Sequence, residues 1–209
     1  KTSGVVAIML TLAMSFSPSI VHAATFDAGH GQTSGAPGVG QNHTFGFNLP
    51  EDLSESEYID ISFYGISPVS VSNDEFTVQS GLDYTDVDVS INGEEQLLTD
   101  TITAGTGINI NVSEIGDGVV VQLIVNGGQA TYSQGEAVII KIGTNATNGA
   151  TGNKQIVNPE NTGTAEVAVQ IDTNAGSPGY EHETNTSSES MNITASVPEV
   201  GTVVLFGAS

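Results

Sequence analysis

The strongest constraint on this chain is a period of two in its apolar residues, repeated along most of its length. In Thr44-Phe45-Gly46-Phe47-Asn48-Leu49 the residues Phe45, Phe47 and Leu49 fall on one side, and from Tyr58 to Tyr64 so do Ile59, Ile61 and Phe63. Asp86 to Ile91 alternates acid with aliphatic residues, and Gly107 to Val112 sets Ile108, Ile110 and Val112 in phase. Thr164 to Ile171 and Met191 to Val197 continue the pattern, and Thr202 to Phe206 could add a last strand. Successive side chains of an extended strand point to opposite faces, so this spacing predicts half-buried strands and almost no amphipathic helix.

Two runs are more continuously apolar, Gly118 to Val125 and Glu136 to Ile142, as expected of central strands covered on both faces. Between them, Asn126-Gly127-Gly128 offers the positive φ angles of a tight reversal, and Ala104-Gly105-Thr106-Gly107 offers a second turn. Gly29 to Gln41, Thr144 to Lys154 and Asn174 to Ser190 are rich in Gly, Pro, Asn and hydroxyl residues and read as loops. The sum is on the order of ten to twelve strands. The expected fold is all-β, an antiparallel β-sandwich of Ig-like or jelly-roll-like type preceded by an N-terminal hydrophobic segment. The segment spans 1–24, the sandwich 25–198, and 199–209 is a C-terminal strand or a truncated anchor.

Charge narrows the function. With 3 Lys plus Arg against 24 Asp plus Glu, the formal net charge is −21. Nucleic-acid binding needs Lys and Arg to displace counterions, and phosphate handling and anionic lipid surfaces need them too, so no nucleic-acid partner is expected. An acidic surface suits solubility, divalent cations or a salty exterior. No cysteine occurs, so neither disulfides nor thiolate metal sites contribute, and the core alone must hold the fold.

The N-terminus carries a basic Lys1, an apolar run from Val5 to Phe16, then Pro18 and the small-residue site Val21-His22-Ala23-Ala24. A membrane span needs about 20 apolar residues, so the shorter run reads as an export signal. It predicts an extracellular or cell-surface location. Either the segment is removed, or it is retained and Val5, Val6, Ile8, Met9, Leu10, Leu12 and Phe16 pack against copies of themselves, since water does not tolerate such a stripe.

Catalytic patterns are sparse. The 4 histidines show no two-His metal spacing and no nucleophile elbow. Asp27, His30 and His43 stand close enough along the chain to meet, but the glycines around them favour a surface or turn role. Acid pairs are plentiful, yet the absence of Trp removes the platform a sugar-cleaving site usually presents. The expectation is a protein that is not an enzyme.

Calcium is the one cofactor the acids suggest. Asp83, Asp86 and Asp88 combine two acids on one strand face with a third just before, and calcium takes hard oxygen ligands. The plainer reading of the same residues is the solvent face of a half-buried strand. Lys141 lies inside a strand; a buried Lys beside an Asn and an acid could form an intramolecular isopeptide bond, while a snorkelling Lys is the ordinary alternative. Among the Asn-X-Ser/Thr sequons, Asn42, Asn145 and Asn185 lie outside the expected strand interiors and are the candidate glycosylation sites, whereas Asn111 and Asn192 fall within strands.

Residues Asn42 to Phe47, Asp86 to Gly93, Ile139 to Thr147, Gln155 to Pro159 and Thr164 to Val169 together resemble exported β-sandwich proteins abundant in ultrasmall bacteria. That resemblance implies a surface or pilin-like subunit and transfers no catalytic residue. Val197-Pro198-Glu199-Val200 and the apolar residues after it are similar to the start of the Pro-Glu-Pro sorting signal of exosortase substrates, with Val200 in place of the second Pro.

Two functions follow. In one the protein is a pilin-like filament subunit, partnered by copies of itself through the N-terminal segment or by lending a strand to a neighbour. It departs from bacterial type IV pilins in carrying Val5 where they usually place Glu. In the other it is a monomeric anchored adhesion domain that binds a glycan, a cation or a host-cell surface.

Overall fold

The computed structural model describes residues 28–66, 74–115, 118–147, 151–172 and 184–193. The assembly residues Val5, Val6, Ile8, Met9, Leu10, Leu12 and Phe16, together with Asp27 and residues 199–209, lie outside these.

Strands run in chain order as β1 (Gly29–Gln32), β2 (Gly40–Gln41), β3 (His43–Asn48), β4 (Tyr58–Tyr64) and β5 (Thr77–Val78). After a 3-10 turn at Tyr84–Asp86 come β6 (Val87–Ile91), β7 (Glu94–Glu95), β8 (Leu98–Thr99), β9 (Ile108–Ile115) and β10 (Gly118–Val125). The last four are β11 (Ala137–Ile142), β12 (Ile156–Val157), β13 (Gly163–Asp172) and β14 (Thr184–Ile193). The chain is all-β, and that turn is the only helical element among the described residues.

Two sheets form the sandwich, one ordered β1-β3-β11-β6-β7 and the other β14-β13-β4-β10-β9-β8, with a small β2-β12-β5 sheet beside them. Among the described residues every pairing is antiparallel except β8 with β9. Register puts the alternating residues in common layers. Phe47, Val138 and Ile91 align across one sheet, as do Phe45, Ile140 and Val89. In the other, Phe63 aligns with Val119 and Val167, and Ile61 with Val121 and Val169. These side chains are nearly all fully buried and meet between the sheets. A single large residue cut from such a layer, Phe63→Ala for instance, removes about 3–5 kcal/mol.

β10 and β11 are central strands as their composition implies, but neither is covered on both faces. Ile139 is 45% exposed, and Val120 and Ile124 are only half-buried. A two-layer sandwich leaves each sheet one solvent face, and β-branched residues are retained there because they suit an extended backbone.

Asn126-Gly127-Gly128 does not make a tight hairpin either, since the strands it separates belong to different sheets. Glycine is needed there for close approach: a Cβ on Gly128 would stand 2.6 Å from the Ala104 carbonyl oxygen. The positive-φ hairpin lies instead at Asn92 (φ 53°) and Gly93 (φ 80°), which join β6 to β7. The expected loop from Asn174 to Ser190 contains most of β14, whose ten residues pair with β13 along their full length. Serines and threonines gave that segment the composition of a loop, and register with a long neighbour overrides composition.

Candidate functional site

Two polar clusters stand out, one at the seam between β1 and β3 and one over the outer face of β6. The seam is built from the sequence upward. β3 turns His43, Phe45 and Phe47 into the core, and β1 contributes His30 and Gln32 on the same side. Gly29 and Gly31 alternate with them and add no side chain. His30 and His43, which sequence reasoning placed in surface or turn roles, are therefore brought together, and His43 has no exposed surface at all.

His30 Nε2 lies 3.0 Å from His43 Nδ1, with the rings stacked at 5.3 Å between centroids and an 11° interplanar angle. Phe45 stacks on His30 at 4.7 Å, Phe63 meets His43 edge-on at 4.8 Å, and Phe76 meets Phe63 at 5.5 Å. One tautomer satisfies the His–His bond, since one ring donates and the other accepts. Burial in this aromatic surround pushes the His30 pKa down to about 4. It pushes His43 down to about 3, with His30's own charge adding to the effect. Both rings are neutral at physiological pH.

The seam is not fully satisfied. His43 Nε2 and Gln32 Oε1 are buried with no hydrogen-bond partner among the described residues, and Gln32 and His43 are direct partners in the β1–β3 register. An unpaired buried polar atom costs about 1–3 kcal/mol, so this boundary holds less tightly than its length suggests.

The second cluster holds the acids proposed for calcium. Asp83 caps the 3-10 turn, its carboxylate accepting from the Thr85 amide at 2.8 Å and the Thr85 hydroxyl at 2.7 Å. Asp86 accepts on Oδ1 from the amides of Asn153 (2.6 Å) and Lys154 (2.9 Å), and on Oδ2 from the Asp83 amide. Asp88 accepts from the Thr147 amide at 2.6 Å and sits 4.0 Å from Lys141 Nζ.

Asp86 and Asp88 are 1% and 2% exposed, so they are not a solvent face. The segment after β11 folds back over them and uses their oxygens to satisfy its own backbone. Asp83 and Asp86 are thus tied in a capping box while Asp88 holds Thr147, and among the described residues no group of three His, Cys, Asp or Glu side chains is placed to hold a metal.

Lys141 is about one-third exposed, and its contact with Asp88 is the ordinary ion pair of a snorkelling Lys. Asn42 accepts from the Thr144 amide and hydroxyl and from Gln155 Nε2. Asn145 Nδ2, the atom a glycan would take, donates to the His43 carbonyl and to Thr44 Oγ1. The folded chain therefore engages Asn145 internally. Asn185 lies on β14.

Sequence reasoning missed Gln32 and the strand character of β1. The signal was present as Gly29-His30-Gly31-Gln32, a short alternation hidden by its glycines.

No protein-family model matches the chain. No curated protein matches it. A solved structure described as "AvmM Catalyzes Macrocyclization in Alchivemycin A Biosynthesis" is similar at a TM-score of 0.38 and 9% identity, covering 84% of this chain and 92% of that one.

Proposed function

We propose that this protein is a non-enzymatic structural subunit of an extracellular cell-surface filament, assembled from copies of itself. The observation that supports the reading best is β14. It forms the margin of the six-stranded sheet among the described residues, runs for ten residues, and contains no Lys, Pro or Gly. Soluble monomers usually blunt such an edge with short strands, bulges, Lys or Pro, because its unpaired backbone groups template another chain. Main-chain pairing at an edge gives affinity with little demand on side chains, which suits a polar, hydroxyl-rich strand. The buried acids serve the fold, since they hold a loop against the sheet.

Sedimentation velocity and negative-stain microscopy of the full chain test this reading. Rods of uniform diameter that grow with concentration are expected. A monodisperse monomer at every concentration and ionic strength overturns it. Intact-mass measurement on material from the cell surface then shows whether Val5 to Phe16 are retained in the assembled form.

A further inference from the structure

We propose that β1 is an exchangeable strand: its seat along β3 accepts the β1 of a second copy of this chain, with the His30–His43 contact as the fastening. This rests on the filament reading for its setting but has its own observable.

The seat already holds the strand it would take. Gly29, His30, Gly31 and Gln32 pair with Gly46, Phe45, Thr44 and His43, and a second copy offers the same four residues in the same register. Exchange conserves every contact between β1 and its seat, so it is governed by how readily β1 and the connection after it come away and by protein concentration. Departure is easy on three counts. Among the described residues β1 is four residues long and lies at the sheet margin, two of its residues are glycines, and Gln32 Oε1 and His43 Nε2 have no hydrogen-bond partner there. The chain after it, Thr33 to Val39, contains Gly35, Pro37 and Gly38 and separates β1 from β2. To re-aim the strand toward a neighbour, this segment has to release the Thr33 amide from the Asn42 carbonyl and the Ser34 and Ala36 carbonyls from Asn158 Nδ2. Handed on head to tail, the exchange does not close on itself and generates a filament, whereas a reciprocal swap stops at a dimer.

The fastening is acid-sensitive. Facing the two rings are Gln32 from β1, Phe45 from β3 and Phe63 from β4, with Ile142 of β11 beside His43 in register. None of these is ionisable. The charge that acts on His43 is that of His30 itself. A proton is taken up more readily once β1 has left and the rings meet water. Lowering pH therefore favours the open strand, by up to roughly tenfold per pH unit for each histidine between the free and buried values.

The chain has no cysteine, which allows a clean test. A Cβ at Gly46 meets open space and one at Gly29 makes only an ordinary contact, and the two face each other in register. Isotope-labelled Gly29→Cys is mixed with unlabelled Gly46→Cys at high concentration, pulsed with acid, returned to neutral pH and oxidised. A 29-to-46 disulfide between labelled and unlabelled chains is expected, increased by the pulse. The oxidised double variant G29C/G46C, with β1 tied to its own β3, should lose assembly that reduction restores. His43→Phe, which keeps an aromatic core residue, should link at neutral pH but lose at least part of the acid response.

Exchange is overturned if mixing yields no 29-to-46 link, or if the tied variant assembles at the wild-type rate. Filaments that persist in the tied variant leave the filament reading standing and remove this mechanism. Linked dimers without filaments do the reverse.

Discussion

The Asp86 carboxylate lies 2.6 Å from the backbone nitrogen of Asn153, and that contact fastens the segment after β11 to the strand pair it covers. The same oxygen takes the Lys154 amide at 2.9 Å, and Asp86 is 1% exposed. Asp86→Ala would leave three backbone donors, the amides of Asn153, Lys154 and Asp83, without their acceptor, an expected loss of about 2–4 kcal/mol. Asp83→Ala removes only an exposed cap and should cost about 1 kcal/mol. Urea midpoints of the two variants check the order. Equal losses would mean that Asp86 does not hold the loop.

The histidine pair makes stability depend on pH with a definite sign. Both folded values, about 4 for His30 and about 3 for His43, lie below the unfolded 6.5. In that interval the unfolded chain binds more protons than the folded one. The stability the neutral rings confer is whole above the unfolded value and declines as pH falls toward about 4 and then 3. The slope approaches about 1.4 kcal/mol per pH unit for each ring. His43→Phe should flatten the acid limb by one such contribution, read from urea midpoints between about pH 7 and pH 4. Parallel curves for wild type and variant would show that His43 titrates freely in the folded chain.

Period-two alternation was enough to read the fold class, because register places Phe63, Val119 and Val167 in one buried layer however the strands are connected. Less legible were features decided by distant contacts. Asp86 and Asp88 look like solvent-facing acids until Thr147, Asn153 and Lys154 arrive from far along the chain to occupy them. β1 was hidden because two of its four residues are glycines, and β14 because it is rich in hydroxyls. In each, pairing with a neighbour outweighed local preference. The approach of His30 to His43 lay within reach, since the two stand only 13 residues apart with glycines and a proline between them.

Two glycines in similar sequence settings should respond in opposite ways. At Gly128 a Cβ would stand 2.6 Å from the Ala104 oxygen and 2.9 Å from the Gly105 carbonyl carbon, both backbone atoms that cannot swing aside. Gly128→Ala should therefore destabilise by about 1–3 kcal/mol. At Gly31 a Cβ meets nothing within 4 Å. Gly31→Ala should be neutral or stabilise by up to about 1 kcal/mol, since alanine narrows the unfolded ensemble. Thermal melts of the pair decide the matter, and a stable G128A chain would mean that the Ala104–Gly107 excursion moves freely away from this turn.

Self-association has to overcome a net charge of −21 on every copy. Strand pairing at β14 or β1 is short-ranged and hardly changes with salt, whereas repulsion between the acidic bodies is long-ranged and screened. The Debye length falls from about 8 Å at 0.15 M salt to about 3 Å at 1 M, so added salt should remove the opposing force while leaving the attraction in place. Assembly followed by light scattering should accelerate with sodium chloride and stall at low ionic strength. If subunits were joined mainly by ion pairs with the few lysines, salt would dissolve the polymer instead. Faster assembly in salt would support edge pairing; slower assembly would point to an electrostatic contact and count against both the β14 and β1 edges.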